Sequence, residues 1–380
     1  MHQERIQMKG TAIIIAMVHW HFTWQSQHNM AVGLAQHGYR VLYVEPIPKR
    51  WPSLHEFNRV IGRLTANSVA SGEVKQVLPS EIELITPRLL PDVGPVMQAL
   101  NRRLFIPGIA RNLTRKVIRP LTIINYLPIS ASLTLMDTLQ PDAAIYHCVN
   151  DWTNDPYAPD QAIEPDLIAK VDMVWADSPV NFDRTRRLSN KTIRLPHGVN
   201  FSHFAKARIE NSSVPDRPLC VYFGSIGIST DIDILRKVSH RYPLRLIGPI
   251  RVTLDGFSDE TEIIGPVSLE ELPDLLRDAD VLLLPYVHSP HNDSVMPAKL
   301  FECLATGKPI VACGLKTLYD YEELFYIREE PEAFLGAIAV AAEEDPGLRY
   351  RRIALAEEYS YERRAQKIDR FIQTILAEKS

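Results

Sequence analysis

Residues 291–313 read HNDSVMPAKLFECLATGKPIVAC and carry the densest local signals in the chain. A polar lead-in comes first, and the pattern after it predicts a helix from Pro297 to Thr306. Proline suits a first helical turn, because its missing N–H would have no partner there. Gly307 suits the left-handed residue just past a helix end. The apolar residues 310–312 then predict a strand, so the stretch forms a loop, a helix and a strand in succession.

Lys299 and Glu302 lie three residues apart and therefore share one face of the predicted helix. A helix N-terminus offers unpaired N–H groups and the positive end of a dipole, both of which suit a phosphate. Lys299 adds a cation, and an ionised Glu302 can accept two hydrogen bonds from the paired hydroxyls of a ribose. This face therefore suits a nucleoside diphosphate, while the same spacing also fits an ordinary surface Lys–Glu pair.

The order Pro–x–Lys–Leu–Phe–Glu–x–x–Ala–x–Gly–Lys–Pro–Ile–Val at 297–311 resembles the donor-binding segment of GT-B glycosyltransferases. The resemblance is to the family 4 group and its bacterial polysaccharide relatives. It implies an α/β fold of two Rossmann-like, doubly wound domains facing across a cleft. Many retaining members carry a second acidic residue eight positions before the glutamate matching Glu302. Ser294 stands there in this chain, beside Asp293, so the anomeric outcome stays open.

A second part of the nucleotide-sugar site is expected at Gly224 and Ser225, which follow a strand predicted over residues 219–223. A glycine there lets the backbone approach a phosphate closely. Lys299 is expected to be the main phosphate cation, with Arg251 as a second. The resemblance implies a UDP-linked sugar as co-substrate. It implies donor-binding roles for Gly224, Ser225, Tyr286, Asn292, Asp293, Ser294, Pro297, Lys299 and Glu302.

Two short patterns invite a metal-binding interpretation, and neither makes a good site. Asp231 and Asp233 form a D-x-D, but they open an apolar run in the way that helix-capping residues do. His288 and His291 are three residues apart, with a proline between them that disfavours a helical pair. We therefore expect no metal and no other cofactor.

The composition is that of a globular protein, with 46% hydrophobic and 23% charged residues. At 380 residues the chain is long enough for two domains with substantial cores. Residues 1–200 hold 21 Lys and Arg against 17 Asp and Glu, whereas residues 201–380 hold 21 against 29. The first half is therefore the better candidate for contact with an anionic surface, and nothing suggests a nucleic-acid partner.

Cysteine usage and hydropathy indicate a cytoplasmic protein. Cys148, Cys220, Cys303 and Cys313 form no CxxC pattern, so we interpret them as reduced thiols. No apolar run approaches the 18 or so residues that span a bilayer. Any membrane contact is therefore expected to be peripheral, on the inner face of the cell membrane.

The chain opens with a β–α–β pattern: a buried strand over residues 11–18, a helix over 29–37 and a strand over 39–44. This order is typical of a doubly wound α/β domain. The GxGxxG fingerprint is absent, and VHWHFTWQSQ occupies its place, which argues against an NAD site. His19 and His21 in that loop are candidates for contact with the acceptor.

A strand predicted over residues 143–148 leads directly to Asp151 and Trp152. Chemistry collects at the carboxyl ends of parallel strands. The segment resembles the position of the catalytic aspartate in an exopolysaccharide glucuronosyltransferase, which implies that Asp151 is a general base. An aspartate in a turn or helix cap is the alternative. Trp152 is a third candidate for contact with the acceptor. If Asp151 is not the base, the alternative candidates are Asp155, His147, His21 and Glu45.

Residues 101–120 read NRRLFIPGIARNLTRKVIRP, with six basic residues and no acidic one. Apolar side chains are interleaved with the basic ones, a pattern that suits an anionic membrane surface. A core-facing helix with a basic outer face is the alternative. Pro107-Gly108 is expected to interrupt the helix.

The domain organisation follows from these assignments. We expect an acceptor-binding domain at 1–200, a link at 201–217, a donor-binding domain at 218–358 and a helix at 359–380 that returns to the first domain. The expected activity is transfer of a sugar to a polysaccharide or polyprenyl-linked glycan. A nucleotide-sugar epimerase of the same fold and a non-catalytic nucleotide-binding partner subunit are the alternatives.

Overall fold

The computed structural model describes residues 8–22, 24–49, 78–152, 163–208, 215–290 and 292–379. The chain divides into two compact units, each built on its own parallel sheet. Unit 1 comprises Met1–Asp177, Asn181–Leu195 and Ala365–Ser380, and unit 2 comprises Ser178–Val180 and Pro196–Arg364.

The sheet of unit 1 has seven strands among the described residues, and all neighbouring strands run parallel. Its strands are β1 (Gly10–Ile15), β2 (Tyr39–Val44), β3 (Ile82–Ile85), β4 (Leu121–Asn125), β5 (Ala143–Cys148), β6 (Met173–Ala176) and β7 (Thr192–Arg194). Their order is β3-β2-β1-β4-β5-β6-β7, which reverses direction between β1 and β4. Every residue of β1 is buried, because helices cover both faces of such a sheet.

Helices connect these strands as in a doubly wound fold. They are α1 (Ser26–Gln36), α2 (Gly94–Leu100), α3 (Ile106–Thr114), α4 (Ser130–Leu139), α5 (Ile163–Lys170) and α6 (Pro179–Arg186). A π-helical turn, Asn101–Phe105, joins α2 to α3. The expectation that Pro107-Gly108 interrupts this helix is wrong. Pro107 lies in the first turn of α3, where a missing N–H breaks no hydrogen bond.

The sheet of unit 2 repeats the arrangement with six strands in the part of the chain that is described. They are β8 (Cys220–Phe223), β9 (Leu244–Ile247), β10 (Glu262–Ile264), β11 (Val281–Pro285), β12 (Ile310–Cys313) and β13 (Tyr326–Ile327). The order β10-β9-β8-β11-β12-β13 reverses between β8 and β11, and all pairs are parallel. Both sheets thus have the Rossmann strand order, and the predicted fold class is confirmed.

The helices of unit 2 cover both faces of its sheet. They are α7 (Phe201–Phe204), α8 (Ile232–Arg241), α9 (Leu272–Leu276), α10 (Ala298–Thr306), α11 (Pro331–Ala342) and α12 (Pro346–Glu358). Short 3₁₀ segments occur at Ala205–Ala207, Asn292–Ser294 and Lys316–Leu324. Phe204 and Ala207 are buried in the core of unit 2, so 201–208, expected as part of a link, belong to that unit. Residues 209–214 lie outside the described part.

The last helix, α13 (Tyr361–Lys379), carries the chain back to unit 1 from Ala365 onward. Ile368, Ile372 and Ile375 are buried in the core of unit 1. Asp369 accepts hydrogen bonds from Lys9 at 2.6 Å and from the Tyr39 hydroxyl at 2.8 Å. The predicted return of the C-terminal helix is therefore present in the structure.

Candidate functional site

The strand order of unit 2 reverses between β8 and β11, and ligands of open α/β sheets bind at the carboxyl ends of the strands at such a point. Gly224 and Ser225 directly follow β8, and Tyr286 directly follows β11. Twelve residues, 286–297, separate β11 from helix α10, which brings Lys299 to the same place. The three predicted groups thus meet at one edge of the sheet.

Lys299 is the centre of this cluster. Its ammonium donates to the Tyr222 hydroxyl at 2.8 Å, and Nζ lies 4.2 Å from the centre of the Tyr222 ring and 5.3 Å from that of Tyr286. Burial disfavours the charge, but the two tyrosine oxygens more than offset it, so the pKa of Lys299 is raised. Burial also raises the pKa of Tyr286 to about 12. The Lys299 side chain therefore stays a cation at the edge of the sheet.

Two glycines lie at this edge of the sheet, in positions that leave no room for a side chain. Gly224 has φ +110°, and a Cβ on it would lie 2.9 Å from Lys299 Nζ. Gly248 follows β9 with φ +131°, and a Cβ there would lie 2.3 Å from the Gly224 carbonyl oxygen. Only glycine fits such a φ without strain. Gly248 was not singled out in the sequence, although a glycine at the end of an apolar strand is the signal that would have found it.

The N-terminus of α10 carries no side-chain cap. Pro297 occupies the cap position without a side-chain hydrogen bond, and its carbonyl accepts from the Leu300 N–H at 3.0 Å, so the N–H groups of Ala298 and Lys299 are the ones left at this helix end for a ligand. Glu302, one turn further on, is half-buried. Burial raises the pKa of its carboxyl to about 7, although the Lys299 cation opposes this shift. Glu302 therefore changes its ionisation near neutral pH, which its sequence position did not indicate.

The loop before α10 is held by its own hydrogen bonds. Asn292 donates to the Val287 carbonyl at 2.7 Å. Asp293 forms an ion pair with Lys316 at 2.6 Å, and its Oδ1 lies 3.1 Å from His288 Nδ1. Asn292 and Ser294 are buried, and His291 lies outside the described residues. These contacts fix the loop on unit 2 and engage the Asn292 amide and the Asp293 carboxylate within it.

The loop after β8 is also held by hydrogen bonds, here from Tyr222, a residue that the sequence analysis did not single out. The Tyr222 hydroxyl donates to the Ser225 carbonyl at 2.9 Å and lies 3.1 Å from the Thr230 hydroxyl. The side chain of Ser225 is exposed. Arg251 is exposed beside this loop, its N–H bonded to the Ile226 carbonyl at 2.8 Å. Tyr222 thus anchors both the loop and Lys299.

Asp151 follows β5 in unit 1, as predicted, but its carboxylate is already engaged. Arg184 Nε lies 3.6 Å from Asp151 Oδ1, and the side chain of Asp151 is 8% exposed. The same guanidinium donates to Glu164 Oε1 at 3.0 Å and to the Cys148 sulfur at 3.1 Å. Burial is opposed by the hydrogen bonds to Glu164, so the pKa of Arg184 is raised. Asp151 therefore belongs to a buried ionic network.

The other unit 1 candidates separate by exposure. Trp152 is 1% exposed, and its indole N–H donates to the Tyr146 hydroxyl at 2.9 Å. The expected contact of Trp152 with the acceptor is corrected, since its ring is part of the core. His147 is also buried, between Tyr126 and Trp175. His19 and His21 are half-buried in the loop after β1, and Asp155 lies outside the described residues.

The D-x-D pattern has a structural role at its first aspartate. Asp231 is the N-cap of α8, and its side chain accepts from the Ile234 N–H at 2.9 Å. In the described part of the chain, no three His, Cys, Asp or Glu side chains are grouped as metal ligands. Independence from metal stays a prediction.

Comparison with known proteins identifies the domain that carries this site. Residues 226–344 match the family described as Glycosyl transferases group 1. This confirms the resemblance predicted from residues 297–311. The matched segment includes Tyr286, Lys299 and Glu302.

A curated relative gives the same indication. Over 158 residues the chain is 27% identical to TuaH of Bacillus subtilis (strain 168), whose name places it as a glycosyltransferase in teichuronic acid biosynthesis. The match spans 35% of this chain and 39% of that relative, so the chain covers less than half of its length.

The solved structures match over almost the whole chain and show the fold. Sucrose-phosphate synthase of Thermosynechococcus elongatus has a TM-score of 0.66 at 16% identity, covering 97% of this chain and all (100%) of that one. Anabaena HepE, solved with UDP-glucose, has a TM-score of 0.62 at 11% identity and coverages of 96% and 100%. WaaG, a glycosyltransferase involved in lipopolysaccharide biosynthesis, has a TM-score of 0.60 at 12% identity and coverages of 94% and 98%. The GT-B fold predicted from the sequence is therefore present.

Proposed function

We propose that this protein transfers a sugar from a nucleotide-sugar to a polysaccharide or polyprenyl-linked glycan. Unit 2 binds the nucleotide-sugar, and unit 1 binds the acceptor. The observation that carries the proposal is the Lys299 ammonium beside Gly224 and the uncapped N-terminus of α10. A cation, a close-approach glycine and free helix N–H groups together suit a diphosphate. We favour a UDP-linked sugar, because one protein of the same fold was solved with UDP-glucose.

In the proposed reaction, unit 2 supports departure of the nucleoside diphosphate. As the bond between the sugar C1 and the phosphate oxygen breaks, negative charge develops on that oxygen. Lys299 and the N–H groups of α10 stabilise this charge, and they are already oriented before the reaction begins. No metal is needed for this role, because the fixed cation and helix dipole supply the positive field.

A thermal-shift screen with UDP, GDP, ADP and dTDP, and with their sugars, tests the proposal. We expect one nucleotide to raise the melting temperature and Lys299→Ala to reduce that rise at the same nucleotide concentration. Lys237→Ala is the matched control, since Lys237 is a half-exposed lysine on α8 of the same unit. Consumption of the nucleotide-sugar without an acceptor would favour the epimerase. Binding without turnover across a wide acceptor set would favour a non-catalytic partner subunit.

We also propose that unit 1 contacts an anionic membrane surface from the cytoplasmic side, through residues 96–111. Val96 and Leu104 are 65% and 66% exposed, and Phe105 is 38% exposed. Arg102, Arg103 and Arg111 are exposed on the same segment. Two other basic residues of the stretch are engaged within unit 1, since Lys116 pairs with Glu83 and Arg119 with Asp142. Among the described helices none has the length and apolar character to cross a bilayer.

Sedimentation with vesicles tests this contact. The double variant Arg102→Gln/Arg103→Gln should weaken binding to anionic vesicles, and added salt should do the same. Leu104→Ser should weaken it further by removing an apolar anchor. Leu188→Ser, which alters another exposed leucine of unit 1, is the control. Equal binding to neutral vesicles would refute the electrostatic part of the proposal.

A further inference from the structure

Tyr222 places a buried hydroxyl near the carboxyl end of β8, within unit 2. The residue is 1% exposed and belongs to the core of that unit. A hydroxyl in a core costs free energy unless it is hydrogen-bonded, and a phenylalanine would fill the same space without that cost. The contribution of this hydroxyl therefore lies in the hydrogen bonds that it makes.

The directions of these hydrogen bonds are fixed by the chemistry of the partners. The Ser225 carbonyl can only accept, so it receives the Tyr222 hydroxyl proton, at 2.9 Å. The Lys299 ammonium can only donate, and it donates to the same oxygen at 2.8 Å. The carbonyl thus holds the hydroxyl proton on one side and leaves the oxygen free to accept from Lys299.

The loop that orients the hydroxyl is itself held in place. Thr230 is 4% exposed, and its hydroxyl accepts from the Gly227 N–H at 3.3 Å. Thr230 also forms an isolated β-bridge with Tyr286, whose ring centre lies 5.3 Å from Lys299 Nζ. The loop 224–230 is therefore tied to both aromatic residues that lie beside the lysine.

A lysine side chain has many rotamers, so holding it in one of them costs conformational entropy. The bond to Tyr222 fixes one of the three N–H groups of Lys299 and restricts the directions of the other two. A Cβ on Gly224 would lie 2.9 Å from Nζ, so the ammonium is held against the backbone that follows β8. The ordering of Lys299 is thus complete before any ligand binds.

We propose, on the basis of the nucleotide-sugar binding proposed above, that Tyr222 is a positioning residue for the diphosphate and acts through Lys299. Its hydroxyl holds the ammonium beside Gly224, and the remaining N–H groups of Lys299 are then directed at a phosphate bound after β8. Tyr222 does not touch the ligand itself, because its side chain is buried in the core.

A double-mutant cycle, read by calorimetric titration, tests this inference. UDP, or the diphosphate giving the largest thermal shift, is titrated into the wild-type protein, Tyr222→Phe, Lys299→Ala and the double variant. Tyr222→Phe keeps the ring and removes only the oxygen, so it should weaken binding roughly 3- to 10-fold. In the Lys299→Ala background the same change should alter affinity by less than about twofold, because the group that Tyr222 positions is absent.

Tyr242→Phe is the matched control. Tyr242 is also a buried tyrosine of unit 2, and its hydroxyl donates to the Leu335 carbonyl at 3.1 Å. The change removes one buried hydroxyl, as Tyr222→Phe does, but away from Lys299. Melting temperatures of the two variants should fall by similar amounts, whereas only Tyr222→Phe should bind the nucleotide more weakly.

The outcomes separate the inference from the proposed function. Wild-type affinity in Tyr222→Phe, together with weaker binding by Lys299→Ala, would overturn the inference alone. An equal loss from Tyr222→Phe with and without Lys299 would show a general structural role and also overturn it. If the wild-type protein bound none of the nucleotides or nucleotide-sugars of the thermal-shift screen, the proposed function would fall, and the inference with it.

Discussion

Lys299 of α10 donates a hydrogen bond to Tyr222 of β8 across 2.8 Å, although the two residues are 77 positions apart in the chain. The contact joins the helix N-terminus to the strand end at the point where the strand order reverses. It places a cation at a fixed position before any ligand arrives. The Lys299 side chain is already ordered before a diphosphate binds there. The entropic cost of binding is therefore lower.

Gly224→Ala should weaken nucleotide binding. The added Cβ would require φ +110° and would lie 2.9 Å from Lys299 Nζ, so the lysine must shift. A destabilisation of about 1 kcal/mol or more is expected together with weaker UDP binding. Gly336→Ala in α11 is the matched control, because a Cβ there meets nothing within 4 Å. That change should stabilise the helix slightly. Equal UDP affinity in both variants would contradict the close approach.

Glu302 should make nucleotide-sugar affinity depend on pH near 7. Its pKa is raised to about 7, so the carboxylate that we propose as the acceptor for the ribose hydroxyls is lost as the pH falls. Between pH 8 and pH 6 the affinity for UDP-glucose should drop about tenfold. UDP itself is avoided, because a terminal phosphate titrates near pH 6. Glu302→Gln should remove this dependence, and a persistent dependence in that variant would exclude Glu302 as its source.

The same raised pKa has a consequence for stability. A carboxyl whose folded pKa lies above its unfolded value reduces stability as the pH rises from about 4.5 to 7. Glu302→Gln should therefore raise the melting temperature at pH 8 and change it little at pH 4. A lower melting temperature at pH 8 would mean that the carboxylate stabilises the fold.

Asp151→Asn tests whether Asp151 is the base of the reaction. The variant removes the Asp151 charge opposite Arg184 and leaves Glu164 as the carboxylate that pairs with the guanidinium, so a lower melting temperature is expected. Turnover should fall by less than about tenfold, well below the loss expected for a general base. A loss of about 10²–10⁴-fold at an unchanged melting temperature would instead restore Asp151 as the base.

Arg352 should be among the most destabilising positions of unit 2. It is fully buried and donates to the carbonyls of Gly307 at 3.0 Å and Leu324 at 2.9 Å, and it pairs with Glu344. Arg352→Met should cost about 3–5 kcal/mol, because it leaves Glu344 buried without its partner. Arg351→Met is the control, since Arg351 is half-exposed and pairs only at the surface with Glu323. Thermal melting of the two variants makes the comparison.

Most of the fold could be predicted from the sequence, because continuous apolar runs mark buried parallel strands. The predicted strands 39–44 and 143–148 coincide with β2 and β5. Helix α10 also lies where Pro297 and Gly307 placed it. The helix in the basic stretch 101–120 was harder to predict. A π-helical turn at Asn101–Phe105 precedes Pro107, and the helix continues past this proline.

The parts of the site that could not be predicted depend on contacts between distant residues. Lys299 and Gly224 were found from local patterns, whereas Tyr222 reads as one more buried residue of a strand. The contact of His19 Nδ1 with Glu45 Oε1, at 3.5 Å, could be foreseen only by knowing that β1 and β2 are neighbours. Likewise, nothing near Asp151 in the sequence indicates Arg184, which reaches it from helix α6. Local pattern placed these residues at strand ends, and the fold determined their partners.

Calorimetric titration of UDP into the wild-type protein, Lys299→Ala and Lys237→Ala tests the central claim most directly. A charge-assisted contact with the diphosphate is worth about 1.5–3 kcal/mol, so Lys299→Ala should bind UDP roughly 10- to 150-fold more weakly. Lys237→Ala should bind as the wild-type protein does. Equal affinity of Lys299→Ala and the wild-type protein would remove Lys299 from the site and contradict the assignment of unit 2 as the nucleotide-sugar domain.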